Sequence, residues 1–327
     1  MKLRVEDMTK ETIVLNLIKE GKTLEEIITY TNLGVKEVYQ IMRKLVIKGY
    51  IIDRKYFYDG EIQYGLREEL SDSHAIITSP EDNELEFMVI SDLHLGSIYE
   101  NPRLLNIIYD YCTKNNIHII LNAGDLVEGD VNKTNVCVEP QKQLDHALRV
   151  HPLAPDIINF LLLGNHDYNL LTDYGIDLMS LIKERREDIV PIGYGEGKVL
   201  IKSDCIVMQH PLVTKSMAPS VYNKTLIIRG HGHAARINHD SSNLTIYAPS
   251  LSNLNLYKSS FPGAIILKIR LKRGIIEMVY LEELTFINNK MYTTNEIDIH
   301  FARNKSFKAN NPIYNEEEYP KILRKAR

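Results

Sequence analysis

Five short apolar runs in this chain each empty into residues able to bind a cation. Phe87-Met88-Val89-Ile90 leads to Ser91-Asp92-Leu93-His94-Leu95-Gly96, and the run from Ile117 to Leu121 leads to Gly124-Asp125-Leu126-Val127-Glu128-Gly129. Ile157 to Leu163 runs into Gly164-Asn165-His166-Asp167, Cys205 to Met208 into His210, and Leu226 to Ile228 into Gly230-His231-Gly232-His233. A short apolar run that stops at a polar, glycine-containing cluster reads as a buried strand followed by a loop. Single histidines are usually ordinary core or surface residues. His74, His118, His146, His151, His239 and His300 lack the strand-end context and are read that way. Five clusters in succession carry more weight, because the carboxyl ends of strands in an open α/β sheet form one rim where ligands bind.

The donor set is carboxylate, imidazole and one amide, with no thiolate. It suits borderline-hard divalent ions such as manganese, iron or zinc and argues against a structural zinc cage. Two such ions roughly 3.5–4 Å apart need an anionic ligand between them. Asp125 is the residue expected to supply it. A cation pair lowers the pKa of a bridging water and neutralises the non-bridging oxygens of a phosphate, so the chemistry implied is in-line hydrolysis of a phosphoester.

The elements that must position these residues follow from periodicity. Asn101 to Asn115 has helical apolar spacing at Leu104, Leu105, Ile107, Ile108 and Tyr111 and joins the first two strands as a βαβ unit. A long variable stretch from Asp130 to Pro155 precedes the third strand. Ala264 to Leu271 and Ile275 to Leu281, around Lys272-Arg273-Gly274, read as a hairpin. Ser250 and Ser252 read as turn residues.

Upstream lies a separate pattern. Thr9 to Glu20 is a predicted helix, and Thr23-Leu24-Glu25-Glu26 is a capping box opening a second through Tyr30. Val35 to Lys48 is a third, with Lys36, Arg43, Lys44 and Lys48 on its outer face. Asp59-Gly60 then joins two strand-like runs, Ile51 to Tyr58 and Glu61 to Leu66, as a hairpin. Three helices and a hairpin in this order resemble a winged helix-turn-helix, with the third helix as groove reader and the hairpin as wing. Between Met1 and Leu70 there are twelve Lys/Arg against twelve Asp/Glu, so this module has no net attraction for phosphates, and protein contacts or assembly are the competing use.

Composition sets the outer limits. The 327 residues exceed one typical domain, and 44% hydrophobic with 25% charged residues is ordinary for a globular protein. No apolar run approaches the roughly 20 residues of a membrane span. The N-terminus turns acidic before a signal-peptide core could form, so a cytoplasmic location is expected. Cys112, Cys137 and Cys205 are scattered and imply reduced thiols. Phe301 to Arg327 has seven Lys/Arg, three Glu and interspersed aromatics, a composition able to track a nucleic-acid backbone or simply to wrap the domain.

Taken together, Asp92-Leu93-His94, Gly124-Asp125 with Glu128, Gly164-Asn165-His166-Asp167, His210 and Gly230-His231-Gly232-His233 resemble the five ordered motifs of the calcineurin-like metallophosphoesterases, over about Leu85 to Leu284. The resemblance implies that Asp92, His94 and His233 hold one metal with Asp125, while Asn165, His210 and His231 hold the other with Asp125. It implies attack by a metal-bridging hydroxide, with His166 protonating the leaving oxygen or stabilising charge and Glu128 orienting that histidine. The protein Ser/Thr phosphatases of the family follow the second motif's acid with a phosphate-gripping arginine; here Gly129 stands there. The Asp92-Leu93-His94-Leu95-Gly96 form is closer to the DNA-repair nuclease and DNA-polymerase small-subunit branches, and it also occurs in small phosphodiesterases.

The expected architecture is a four-layer α-β-β-α metallophosphoesterase sandwich at 85–286, preceded by a small winged-helix domain at 1–70 and a linker at 71–84, and followed by a polar, basic extension at 287–327. The expected function is a two-metal phosphodiesterase, manganese being the first choice, that cleaves DNA. The alternative is a phosphohydrolase for nucleotides or cyclic nucleotides whose winged helix serves assembly, a homodimer being compatible with it.

Overall fold

The computed structural model describes residues 9–47, 50–67, 75–79, 83–130, 135–212, 225–239, 243–253 and 261–300. Two sheets face each other. In the seven-stranded sheet, β4 (Glu84–Ile90), β5 (Ile119–Asn122), β6 (Ile158–Leu163) and β7 (Ile189–Tyr194) are parallel. The antiparallel strands β13 (Gly263–Lys272), β14 (Ile275–Ile287) and β15 (Lys290–His300) continue it beyond β4. In the eight-stranded sheet, β9 (Asp204–Gln209), β10 (Thr225–Arg229) and β12 (Asn243–Tyr247) are parallel. β11 (Arg236–His239) pairs with β12 at one edge and β8 (Glu196–Ile201) with β9 on the other side.

Alternation within the strands explains the layers. Leu85, Phe87 and Val89 of β4 join Ile206 and Met208 of β9 in the core between the sheets. Met88 and Ile90 turn the other way, into a second core under α4 (Pro102–Asn115), α5 (Pro140–Val150), α6 (Asn165–Tyr174) and α7 (Leu178–Arg185). Because both faces are covered, β5 and β6 are buried along their whole length, which is why they read as unbroken apolar runs. The fold is thus the expected α/β sandwich. No helix of the described residues is long and apolar enough to cross a membrane.

The N-terminal elements occur in the expected order: α1 (Lys10–Lys19), α2 (Leu24–Thr31), α3 (Val35–Ile47), β1 (Ile51–Phe57) and β2 (Ile62–Arg67). The capping box forms, with Thr23 N–H on Glu26 at 2.8 Å and Glu26 N–H on the Thr23 hydroxyl at 3.2 Å. Their relation to the rest differs from expectation. Within the segment read as a linker, β3 (Ala75–Thr78) pairs in parallel with both β8 and β1, so the hairpin is the outer end of the eight-stranded sheet. Four residues with only two buried side chains are too short a signal to see in a polar stretch. The tip is also seated: a Cβ on Gly60 would strike the Asp156 carbonyl and lie 2.8 Å from His118 Cβ. An ion pair between half-buried Arg54 of β1 and buried Glu187, just before β7, ties the hairpin to the seven-stranded sheet. The hairpin is therefore no free wing.

A second departure concerns the C-terminal side. The polar extension expected from 287 begins with β15, which pairs with β14 from Lys290 to His300. Asn288 and Asn289 both adopt left-handed backbone, the two-residue hairpin turn that Asn tolerates. As an edge strand β15 is largely solvent-facing, so polar composition concealed it. The stretch from 301 to 327, and His74, lie outside the described residues.

Candidate metal centre

The five strand-end loops converge as the topology requires. The loops after β4 and β5 are laced together by main chain: Asp92 N–H reaches the Gly124 carbonyl at 2.8 Å, Leu93 N–H that of Asp125 at 2.9 Å and Glu128 N–H that of Leu95 at 3.0 Å. Asp92, His94, Asp125, His231 and His233 all have positive φ, an uncommon conformation for residues with a Cβ and one that persists where surroundings over-determine it. A Cβ on Gly164 would collide with Asp125 Oδ1 and stand 2.7 Å from His210 Cδ2, so only glycine lets the third loop close on the second.

Ligand atoms of Asp92, His94 and His233 lie within 4.8 Å of one another, as do those of Asp125, His210 and His231. His233 Nε2 is 3.2 Å from Asp92 Oδ1, and His210 Nε2 is 3.0 Å from Asp125 Oδ2. Asn165 Oδ1 stands 3.2 Å from His210 Nε2 and 3.0 Å from His231 Nδ1. All seven expected metal residues thus surround one centre with Asp125 between the two groups. Asp92 Oδ1, Asp125 Oδ2 and His94 Nε2 are buried without a well-formed hydrogen bond, the condition expected of atoms shaped to face cations. His210 Nδ1 donates to the Ala123 carbonyl at 2.7 Å, which fixes the tautomer that turns Nε2 to the centre.

Charge compensation within the site is strong. Burial opposes it, yet His233 holds the Asp92 carboxyl well below the usual range, and His210 likewise lowers Asp125. Against the same burial, Asp92 and Glu128 raise His94 to about 10, and Asp125 raises His210 to about 9. Protons on these imidazoles occupy the role that divalent cations take over, so loading metal must release protons. The residues present fit a pair of divalent ions.

One expected role is corrected. The Glu128 carboxylate does not reach His166; its Oε2 lies 3.0 Å from His94 Nδ1. The main-chain carbonyl of Glu128 instead accepts from His166 Nδ1 at 2.6 Å. The Glu128 side chain is fully buried, and its carboxylate and main-chain carbonyl serve different histidines. His166 N–H also donates to Asp125 Oδ1 at 3.0 Å, and its ring meets that of His94 edge-on at 4.6 Å.

Three supports escaped the sequence reading. Asp167, fully buried, accepts from Leu126, Val127 and Gly164 N–H at 2.9–3.1 Å and so ties the second loop to the third. Burial and the neighbouring Asp125 push its carboxyl up to about 7. Glycine followed three residues on by an acid at a helix start was the available signal. Gln143 clamps Gly129 from both sides, accepting from its N–H at 2.8 Å and donating to its carbonyl at 2.9 Å. Ser250, read as turn chemistry, does bond Ser252 N–H, and its hydroxyl also donates to the Asp92 carbonyl at 2.8 Å. Of the histidines set aside, His118, His146 and His151 bond to Asp156, Glu100 and Pro152, away from the ligand set.

No curated protein matches the chain in sequence. Among solved structures the chain is similar to Vacuolar Protein Sorting 29 from Cryptosporidium parvum, at 12% identity over 68% of this chain and 100% of that one, TM-score 0.40. It is also similar to a predicted phosphoesterase from Streptococcus pneumoniae, at 12% identity over 65% and 99%, TM-score 0.33. A third likeness is to the Pseudomonas putida nuclease MPE, at 12% identity over 58% and 86%, TM-score 0.29. At such identities and scores these likenesses bear on neither substrate nor partner. The family model named calcineurin-like phosphoesterase matches residues 85–235, the span holding every ligand-bearing loop, so this part of the chain is similar to that family of metal-dependent phosphoester hydrolases.

Proposed function

We propose that the chain is a two-metal phosphodiesterase acting on DNA, with manganese as the working ion. Asp92, His94 and His233 would hold one cation and Asn165, His210 and His231 the other, with Asp125 shared. When bound, the pair would lower the pKa of an intervening water and neutralise the oxygens of the phosphate. The chain's own residues do the rest. His166, its Nδ1–H committed to the Glu128 carbonyl, presents Nε2 as the atom that passes a proton to the leaving oxygen. Glu128 keeps His94 turned toward the centre.

The observation that carries the substrate class is Gly129. It has φ +64°, and a Cβ there would overlap the His166 carbonyl, so the loop cannot carry the phosphate-gripping arginine that a phosphoprotein phosphatase places at this point. A phosphodiester, already flanked by two esters, needs less neutralisation than a monoester dianion. The Asp92-Leu93-His94-Leu95-Gly96 form of the first loop favours DNA. A second reading, a phosphohydrolase for nucleotides or cyclic nucleotides, draws support from the seated hairpin tip, since a fixed wing fits assembly better than groove reading.

Purified protein with manganese is expected to hydrolyse bis-p-nitrophenyl phosphate and to degrade labelled single- or double-stranded DNA, and His166→Ala to lower the rate by about 10²–10⁴. Equal rates for wild type and His166→Ala would end the assignment of His166. No attack on either DNA, with rapid turnover of a cyclic nucleotide, would replace the first reading by the second.

A further inference from the structure

One row of side chains crosses the eight-stranded sheet immediately before the histidine loops. The register pairs Glu196 with Gln209, Gln209 with Arg229, Arg229 with Tyr247, and Tyr247 with Arg236. Met208, Ile228 and Ile246 point into the core between the sheets, so by strand alternation Gln209, Arg229 and Tyr247 occupy the outer face. The row sits against the metal centre through covalent chain: Gln209 precedes His210, and Arg229 precedes Gly230-His231. It also lies beside the loop in space, since the Tyr247 ring is 4.0 Å from where a Cβ on exposed Gly232 would stand.

These contacts hold two guanidinium groups without consuming them. Arg236 stacks on the Tyr247 ring with its charged carbon 4.1 Å from the centroid, and Arg229 stands 5.8 Å from the same ring. A stacked guanidinium uses its face and keeps its in-plane N–H donors, the geometry that matches phosphate oxygens. Arg236 is exposed, so those donors face solvent. Arg229 gives Nη2 to the Gln209 amide oxygen, and Gln209 in turn donates to Glu196 at 3.1 Å. An amide holds Arg229 in place without cancelling its charge.

We propose that Arg229 and Arg236, braced by Tyr247, form a subsite for a second phosphate of the substrate, the one next to the phosphodiester being cleaved. The proposal rests on the DNA reading above and deepens it. A mononucleotide or cyclic nucleotide has its phosphate engaged at the metals and leaves the row empty. A polynucleotide fills both, so the row would set a preference for strands over single nucleotides.

The test compares wild type, Arg236→Ala and Arg236→Lys on a labelled single-stranded oligonucleotide and on bis-p-nitrophenyl phosphate, with manganese, across a range of salt. Arg236→Ala is expected to lower the ratio of oligonucleotide to bis-p-nitrophenyl phosphate kcat/KM about tenfold, mainly through KM, and to reduce the salt slope by about one. Arg236→Lys keeps the charge and should restore the salt slope but only part of the ratio, because it lacks the fork. If wild type cleaves the strand and Arg236→Ala shows the same KM and salt slope, the subsite is wrong while the DNA reading stands. If wild type hydrolyses bis-p-nitrophenyl phosphate and leaves DNA intact, the DNA reading falls and the subsite with it.

Discussion

Replacing Asp167 should loosen the metal centre without touching a ligand. Its two oxygens divide three buried donors, Leu126 and Gly164 N–H on Oδ2 and Val127 N–H on Oδ1. Hydrogen bonds to a charged acceptor contribute roughly 1.5–3 kcal/mol each, and a buried N–H left bare costs about 1–3 kcal/mol. Three simple losses would sum to about 5–9 kcal/mol, but burial and then repulsion from Asp125 disfavour the carboxylate and push its pKa up to about 7, and removing it relieves that cost. About 3–5 kcal/mol is the expected destabilisation for Asp167→Ala. Asp167→Asn can keep its oxygen on Leu126 and Gly164 but turns an amide donor toward Val127 N–H, so about 2–3 kcal/mol is expected. Urea denaturation, in chelator and in excess manganese, gives the order wild type, Asn, Ala. The two tied loops carry Asp125 and Asn165, so manganese affinity should fall in the same order. An alanine variant within about 1 kcal/mol of wild type, or an asparagine variant less stable than alanine, would refute this account of the loop junction.

Glu128→Gln removes the charge facing His94 while keeping its shape, and should weaken metal binding about 10–100-fold in a calorimetric titration with a smaller effect on His166, whose partner is the main chain. Gly129→Ala should destabilise the protein and lower activity, because the added carbon meets the His166 carbonyl at a left-handed φ; a melting temperature and rate like wild type would contradict this. His151 is buried and neutral, donating Nδ1–H toward Pro152 and facing the Asn159 amide with Nε2, and burial together with Arg186 lowers its pKa to about 4. The unfolded chain therefore takes up the proton first: stability from this group is complete above pH about 6.5 and falls by up to about 1.4 kcal/mol per unit as pH drops toward about 4. In metal-free protein, His151→Gln should flatten that part of the pH profile relative to wild type, and identical slopes would remove His151 as the cause.

Much of the centre was legible because its residues stand at strand ends, where an apolar run and the polar cluster after it are contiguous in sequence. The type and order of Asp92, His94, Asp125, Asn165, His166, His210, His231 and His233 could be read without coordinates, and so could the capping box at Thr23 and the hairpin at Asp59-Gly60. The core strands β5 and β6 were equally plain, since burial on both faces leaves no polar alternation to confuse the reading. Short or one-sided elements were not: β3 has four residues and β15 is polar because one edge and much of its surface meet water.

Direction and register were beyond the sequence. Only the folded chain decides that the Glu128 side chain goes to His94 while its carbonyl goes to His166, because both outcomes need the same residue at the same position. The hairpin at Asp59-Gly60 was predictable from a local turn, but its role as the end of the eight-stranded sheet depends on β3 pairing with β8 across more than a hundred residues. Arg229, Tyr247 and Arg236 form a row only through strand register, and nothing in their spacing announces it. Local chemistry fixes which residue types can bind cations; which atoms of those residues meet, and which neighbours they exclude, is set by long-range packing of loops that carry no pattern of their own.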